Sequence, residues 1–211
     1  MEKKYKLTEE SIVIDGHKLY RIQAIKSFGN ILPGNLGGFV ESEENLSHDG
    51  NCWIDDLSCV YENAKVIDNA EISLYSKISG NAKISGNASV SGDASVSGRA
   101  KISGNAKISG YSKVFGTTEI YSDYFTLYSK AKKEKTVAAY KDKEGKIFIQ
   151  WRDFIGTIDE FEVEAKWINS ILSPKTELYE SDIYSDIDYR NIEEVDRIIS
   201  VIKEHFGIDD D

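Results

Sequence analysis

Residues 51–122 read NCWIDD LSCVYE NAKVID NAEISL YSKISG NAKISG NASVSG DASVSG RAKISG NAKISG YSKVFG TTEIYS when they are divided into groups of six. The fourth residue of every hexad is Ile or Val, from Ile54 to Ile120. The second residue is always small, from Cys52 to Thr118. Because both positions match in all twelve hexads, the repeat is the dominant structural signal in the chain.

A period of six predicts a coil of three short strands per turn, with a corner after each hexad. The second and fourth positions lie two residues apart, so both side chains point to the same face of a strand. The β-branched residue fills the interior, and Gly-Asn junctions such as Gly80-Asn81 supply residues suited to tight corners. Four such coils, stacked strand on strand, rise about 19 Å.

On these hexads the chain resembles the hexapeptide-repeat family, whose fold is a left-handed parallel β-helix. The resemblance covers the whole of 51–122 and implies the left hand, which periodicity alone does not give. The family's enzymes transfer acyl groups from acyl-CoA or acyl-carrier protein, usually as trimers with sites between subunits and a histidine as general base. The resemblance therefore implies an acyl-CoA-dependent acyltransferase as one function to weigh.

Stacking the hexads 18 residues apart predicts columns of side chains along the coil. One corner is an asparagine ladder, and another reads Leu57, Tyr75, Asp93, Tyr111. The outward faces are short and polar, carrying Lys and Ser, and they either remain solvated or meet other copies of the chain. If copies meet as the family's acyltransferases do, the resemblance implies a ligand site at the interface, near Tyr75, Lys77, Asp93, Tyr111 and Lys113.

Residues 1–50 are predicted to form an N-terminal hairpin and cap. Alternating apolar runs flank Asp15-Gly16, which is a hairpin signal. The cap would shield strand edges at the open end of the helix. The strings GGFV, NLS and GNCWI within residues 37–54 resemble the N-terminus of bacterial and prophage hexapeptide-repeat proteins labelled as acyltransferases.

Residues 123–211 are predicted to form a small α+β module. Because the cap and the β-helix consist of strands, the predicted fold class of the whole chain is mainly β. TVAAY and IFIQW flank a turn at Glu144-Gly145, and Thr157 with Glu160 forms a capping box for a helix starting at Ile158. A final helix follows Asn191, with Gly207 at its C′ position. Hairpin plus helix also resembles the C-terminal module of prophage proteins of this group.

The net charge of −10 is distributed unevenly along the chain. The repeat has seven acids and seven bases, 123–150 is net positive, and 151–211 carries 17 acids against 6 bases. The acidic, tyrosine-rich stretch 177–189 is either a solvated linker or a surface for a partner with a basic surface. The predicted partner-binding residues there are Tyr179, Asp182, Tyr184, Asp186, Asp188 and Tyr189.

No catalytic residue is predicted, with His48 as a weak candidate. It lies beside the first coil, whereas His17 follows the hairpin turn and His205 lies near a helix C-terminus. Cys52 occupies an inward position and Cys59 an outward one, without a neighbour in sequence that would activate it. The sequence also predicts no metal site and no bound cofactor.

Composition excludes several classes of protein. No run of 18 apolar residues and no leader-like N-terminus occur, so we expect a cytoplasmic protein with no membrane contact. The pI near 4.9 argues against direct binding of nucleic acid, because phosphate contacts need clustered cations.

The sequence favours a non-catalytic binding protein on a β-helix scaffold, forming a trimer or dimer. The prophage resemblance suggests a phage-encoded protein in the host cytoplasm that inhibits a host defence protein or sequesters its small signal molecule. The two alternatives are an acyl-CoA-dependent acyltransferase and a structural or assembly component.

Overall fold

The computed structural model describes residues 2–55, 57–122, 124–128, 136–151, 154–171 and 192–208. The chain divides into two compact units, Met1–Tyr124 and Phe125–Asp211. The first contains a parallel β-solenoid of about four turns, as the hexads predict. The left hand of the coil stays a prediction of the family resemblance.

The solenoid consists of twelve two-residue strands, one in each hexad. They are β4 Trp53–Ile54, β5 Cys59–Val60, β6 Lys65–Val66, β7 Glu71–Ile72, β8 Lys77–Ile78, β9 Lys83–Ile84, β10 Ser89–Val90, β11 Ser95–Val96, β12 Lys101–Ile102, β13 Lys107–Ile108, β14 Lys113–Val114 and β15 Glu119–Ile120. Each strand pairs in parallel with the strand three hexads away, which produces three sheets. The pairing register is 18 residues throughout, so equivalent hexad positions form straight columns.

The interior is filled by the second and fourth hexad positions. The β-branched residues from Ile54 to Ile120 are at most 1% exposed, and the small residues from Cys52 to Thr118 are at most 2% exposed. The asparagine ladder is confirmed, because the amide of Asn69 donates to Asn87 at 3.2 Å and that of Asn87 donates to Asn105 at 3.3 Å. Corner hydrogen bonds therefore link successive coils.

An N-terminal antiparallel hairpin extends one face of the solenoid. Strands β1 (Tyr5–Ile14) and β2 (His17–Ala24) turn at Asp15-Gly16, as predicted. Strand β3 (Leu36–Val40) pairs with β2 on one side and with β5 of the first coil on the other. The hairpin and β3 thus cover the strand edge that β5 would otherwise expose.

Two glycines allow β3 to lie against the first coil. A Cβ at Gly37 would come within 2.5 Å of the Ile54 carbonyl oxygen, and one at Gly38 within 2.4 Å of the Ser58 carbonyl oxygen. Any larger residue would displace the backbone here. The Gly-Gly pair of the GGFV string is therefore required for the close contact between β3 and the first coil.

The second unit contains a four-stranded sheet and two helices. Its strands are β16 (Tyr124–Tyr128), β17 (Thr136–Lys141), β18 (Ile147–Trp151) and β19 (Phe154–Thr157), and its helices are α1 (Ile158–Ile171) and α2 (Ile192–Phe206). The predicted hairpin and capping box are confirmed, since Glu160 accepts from the Thr157 amide at 2.7 Å. The core of this unit contains Val137, Ala139, Ile149, Ile158, Phe161, Ile199 and Ile202.

Within the described residues, neither helix combines the length and the apolar character that crossing a membrane requires. Gly207 has a φ of 65° directly after α2, which confirms the predicted helix end.

Candidate functional site

The residues predicted as a ligand site lie together along one edge of the solenoid. In the sheet that contains β8, β11 and β14, Ser95 pairs directly with both Lys77 and Lys113. The corner residue of each coil precedes its strand residue by two positions, so the corner residues form a parallel column. The residues brought together are Tyr75, Lys77, Asp93, Tyr111 and Lys113.

Large apolar and aromatic side chains are exposed along this corner. Leu57 is 47% exposed, Leu74 52%, Tyr75 57% and Tyr111 50%. We call Leu57, Leu74, Tyr75, Asp93 and Tyr111 the corner patch. Elsewhere the solenoid surface is mostly Ser, Lys and Asn, so the corner patch is a distinct chemical feature.

The backbone of the corner patch is strained at two consecutive residues. Leu74 has a φ of 53° and Tyr75 a φ of 67°, both in the left-handed region. Gly80, Gly86 and the later corner glycines adopt the same region without a Cβ. A left-handed conformation costs a residue with a side chain about 1–2 kcal/mol, so this corner stores strain that the glycine corners avoid.

Leu74 was missed by the sequence-based site prediction. The sixth hexad position holds Gly, an acid or Ser in all other hexads of 51–122, and Leu74 is the only apolar residue there. That exception to the repeat was the available signal. A large apolar residue with a positive φ therefore departs from the pattern of the other described corners, which carry Gly, Glu or Asp there.

The chemistry offered by this edge suits binding. Tyr75 and Tyr111 provide aromatic surfaces, Lys77 and Lys113 are exposed cations, and Asp93 is an exposed carboxylate between the two tyrosines. Ligand-binding sites typically combine aromatic surface with a few positively and negatively charged hydrogen-bonding groups.

His48 is packed into the N-terminal end of the first unit. Its ring stacks on Tyr5 with centroids 4.4 Å apart, and its Nδ1 accepts from the Lys4 backbone N–H at 3.3 Å. The neutral ring therefore carries its proton on Nε2, which lies 3.8 Å from a Glu43 carboxylate oxygen. Burial lowers the pKa of His48 despite this carboxylate. Because the Nδ1 lone pair is occupied and the side chain is only 13% exposed, the geometry fits packing better than proton abstraction.

Lys4 is a buried lysine whose amino group contacts Cys52 at the start of the solenoid. Lys4 is fully buried, and its Nζ donates to the carbonyl oxygens of Gly50 and Cys52 at 3.2 and 2.9 Å. The same Nζ lies 3.3 Å from Cys52 Sγ. Burial lowers the pKa of Lys4 and raises that of the Cys52 thiol. Lys4 thus supplies hydrogen bonds to carbonyls at the start of the solenoid.

The predicted surface position of Cys59 is wrong. Cys59 does point away from the coil interior, but it is only 1% exposed because it packs with Leu19, Phe39 and Tyr61 under the hairpin. Burial raises its pKa to about 11, which makes the thiol unreactive near neutral pH. Leu19 and Phe39, which supply most of this cover, lie 40 and 20 positions earlier in the chain, outside the hexad pattern.

His17 joins the hairpin to the first coil. Its Nδ1 lies 3.0 Å from a Glu41 oxygen and its Nε2 lies 3.6 Å from a Glu62 oxygen. The hydrogen bond with Glu41 raises the pKa of His17 and lowers that of Glu41. Nearby, the Tyr61 hydroxyl donates to Asp15 at 2.9 Å. These contacts attach the turn of the hairpin to the solenoid.

The acidic partner-binding prediction lies outside the described residues, since Tyr179, Asp182, Tyr184, Asp186, Asp188 and Tyr189 all fall within 172–191. His205 is in the last turn of α2, as predicted, with its ring edge-on to Phe206 at 4.8 Å. Among the described residues, no three His, Cys, Asp or Glu side chains form a group suited to a metal ion.

No protein-family model matches the chain. The chain is 37% identical over 73 residues to a protein of Escherichia coli (strain K12) named Uncharacterized acetyltransferase YdcK. The match covers 31% of this chain and 22% of that protein, so most of the relative lies outside it. The β-solenoid and this similarity are in keeping with the resemblance to hexapeptide-repeat proteins.

Proposed function

We propose that the protein is a non-catalytic binding protein that uses its β-solenoid as a rigid scaffold and the corner patch as a contact surface. The observation that carries the proposal is the pair Leu74-Tyr75, which is exposed and left-handed at once. The exposed apolar side chains add little to the stability of the isolated protein, and the backbone strain lowers it. A ligand or partner that covers this pair would gain free energy from its burial and would explain why the strain persists.

The scaffold supports this role because it fixes the corner patch before binding. Each coil is hydrogen-bonded to the next through strands and corners, so the exposed side chains project from an ordered backbone. A preordered surface loses less conformational entropy on binding than a flexible loop.

For the C-terminal module we propose a second contact, through the acidic stretch 177–189, with a basic protein surface or a small signal molecule. The support is the excess of acids in 151–211.

The resemblance of residues 37–54 to prophage repeat proteins supports a phage origin, and inhibition of a host defence protein is the corresponding role. We also propose that the chain acts as a homo-oligomer, a trimer or a dimer.

The second candidate is an acyl-CoA-dependent acyltransferase. It is favoured by the 37% identity to the E. coli protein that carries an acetyltransferase name. In this case copies of the chain would meet at the corner, and Tyr75, Lys77, Asp93, Tyr111 and Lys113 would line the site.

Thiol release from acetyl-CoA by the full-length protein, with and without amine and hydroxyl acceptors, separates the two candidates. We expect no release above the buffer rate, and no difference between the natural protein and the variants His48→Ala and Tyr75→Ala. Release that disappears in either variant but persists in Tyr121→Ala, an exposed tyrosine away from the corner patch, would establish the acyltransferase instead.

A further inference from the structure

The same tripeptide occurs twice along the corner patch. Tyr75-Ser76-Lys77 and Tyr111-Ser112-Lys113 lie two coils apart, and Asp93-Ala94-Ser95 lies between them. Ser95 pairs with both lysines, so the three tripeptides are in register. The two lysines are therefore about 9.6 Å apart, which is two strand spacings, and a tyrosine precedes each of them by two residues.

Each tripeptide presents the groups that bind sugars. A tyrosine ring offers an apolar face to the C–H side of a sugar ring, and the neighbouring lysine donates hydrogen bonds and carries charge. Between the copies, Asp93 and Ser95 provide acceptors and a hydroxyl but neither aromatic surface nor positive charge. The surface thus alternates, from coil to coil, between a subsite with a cation and a subsite with an anion.

A ligand that matches this surface must be extended, must repeat at every coil, and must carry a negative charge at every second repeat. In an extended β-linked glycan, one sugar advances by nearly the rise of one coil. Resting on the binding function proposed above, we infer that the corner patch with Lys77 and Lys113 binds a linear β-linked glycan with one acidic sugar per disaccharide. Acidic sugars lie at Lys77 and Lys113, and the neutral sugar between them lies at Asp93.

The alternation also gives the site its selectivity. A chain charged at every sugar places a carboxylate against Asp93, where like charges repel. A neutral glycan makes the tyrosine contacts but gains nothing from the charges of Lys77 and Lys113. Two linked subsites strengthen each other, because binding at the first raises the effective concentration of the ligand at the second.

Isothermal titration of the full-length protein with three probes tests the inference. The probes are a hyaluronate octasaccharide with one carboxylate per disaccharide, an oligogalacturonate with a carboxylate on every sugar, and neutral cellohexaose. We expect hyaluronate to bind most tightly of the three. Tyr75→Ala and Tyr111→Ala each weaken it about tenfold, whereas Tyr75→Phe, which keeps the ring, binds like the natural protein. Lys77→Gln weakens hyaluronate but leaves any binding of cellohexaose unchanged.

Tyr121→Ala and Lys107→Gln serve as matched controls, because both residues are exposed and lie off this edge. The inference is overturned if hyaluronate does not bind, if it binds no better than cellohexaose or oligogalacturonate, or if the controls weaken it as much as Tyr75→Ala does. Absence of glycan binding without thiol release from acetyl-CoA rejects the glycan and leaves the non-catalytic function standing. Thiol release that is lost in Tyr75→Ala rejects that function whatever the titrations show.

Discussion

Leu74 stands at a corner where the later hexads carry glycine, and it adopts the backbone that glycine adopts there. Half of its side chain is exposed, so packing recovers only part of the cost of the positive φ. Glu62 and Asp68 at equivalent corners also have positive φ, but their carboxylates accept backbone N–H groups of the next coil, at Gly80 and Gly86. Leu74 has no polar group with which to make such a bond.

Leu74→Gly is therefore expected to raise the free energy of unfolding by about 0.5–1 kcal/mol, because relief of about 1–2 kcal/mol of left-handed strain exceeds the cost of the added glycine entropy. Thermal and urea unfolding followed by circular dichroism measure the change. Leu57→Gly is the matched control, since Leu57 is similarly exposed but does not have a positive φ. At Leu57, the greater conformational freedom of glycine in the unfolded chain lowers the free energy of unfolding by about 0.5–1 kcal/mol. Equal destabilisation by both changes would show that Leu74 is not strained.

At the scale of elements, the β1–β2 hairpin depends on a few polar contacts at its turn. His17 lies between Glu41 and Glu62, and Asp15 accepts from Tyr61. Folding raises the pKa of His17, so its contribution to stability is complete below 6.5 and is lost as the pH rises through the raised value. Folding lowers the pKa of Glu41, so its contribution is complete above 4.5 and is lost as the pH falls through the lowered value.

His17→Gln should accordingly lower the melting temperature most between pH 4.5 and 6.5, where both charges of the His17–Glu41 pair are present. The difference from the natural protein narrows above this window as His17 loses its proton, and below it as Glu41 gains one. Melting curves from pH 3 to 9 provide the measurement. In a Glu41→Gln background, which already lacks the main carboxylate partner, His17→Gln should show a much smaller maximum. A constant difference for His17→Gln at every pH would contradict the role of the charged pair.

The elements differ in how far the sequence predicts them. The hexads predict the strands, the side-chain columns and the interior, because every hexad has a small second residue and a β-branched fourth residue. Turn residues such as Asp15-Gly16 and Glu144-Gly145 likewise predict the hairpins from neighbouring positions alone. The cover over Cys59 and the buried position of Lys4 depend on contacts between segments about 20 to 50 residues apart, which no local pattern contains. For the candidate site, the corner column followed from the 18-residue stacking. The strain at Leu74 was visible in sequence only as an exception to the repeat.

At the scale of the whole molecule, charge and packing are divided between two units. The solenoid hexads are balanced in charge, whereas 151–211 is strongly acidic. Each unit has its own buried core, the first around the inward columns of the coils and the second around Val137, Ile149 and Ile202. A binding surface on the repeat and an acidic module in the same chain can therefore be tested separately if each unit folds alone.

The fragment 1–124 should fold without the rest of the chain, because its hairpin, β3 and four coils supply their own hydrogen bonds and interior. We expect one cooperative thermal transition, within about 4 °C of that of the same unit in the full chain. Amides of β6 and β7 should be protected from hydrogen exchange in both. The fragment 1–90 is the control: it keeps the hairpin but loses the later coils, so their stacking energy is absent and its transition should be broader and lower. If 1–124 exchanges as freely as 1–90, the solenoid requires the second unit to fold.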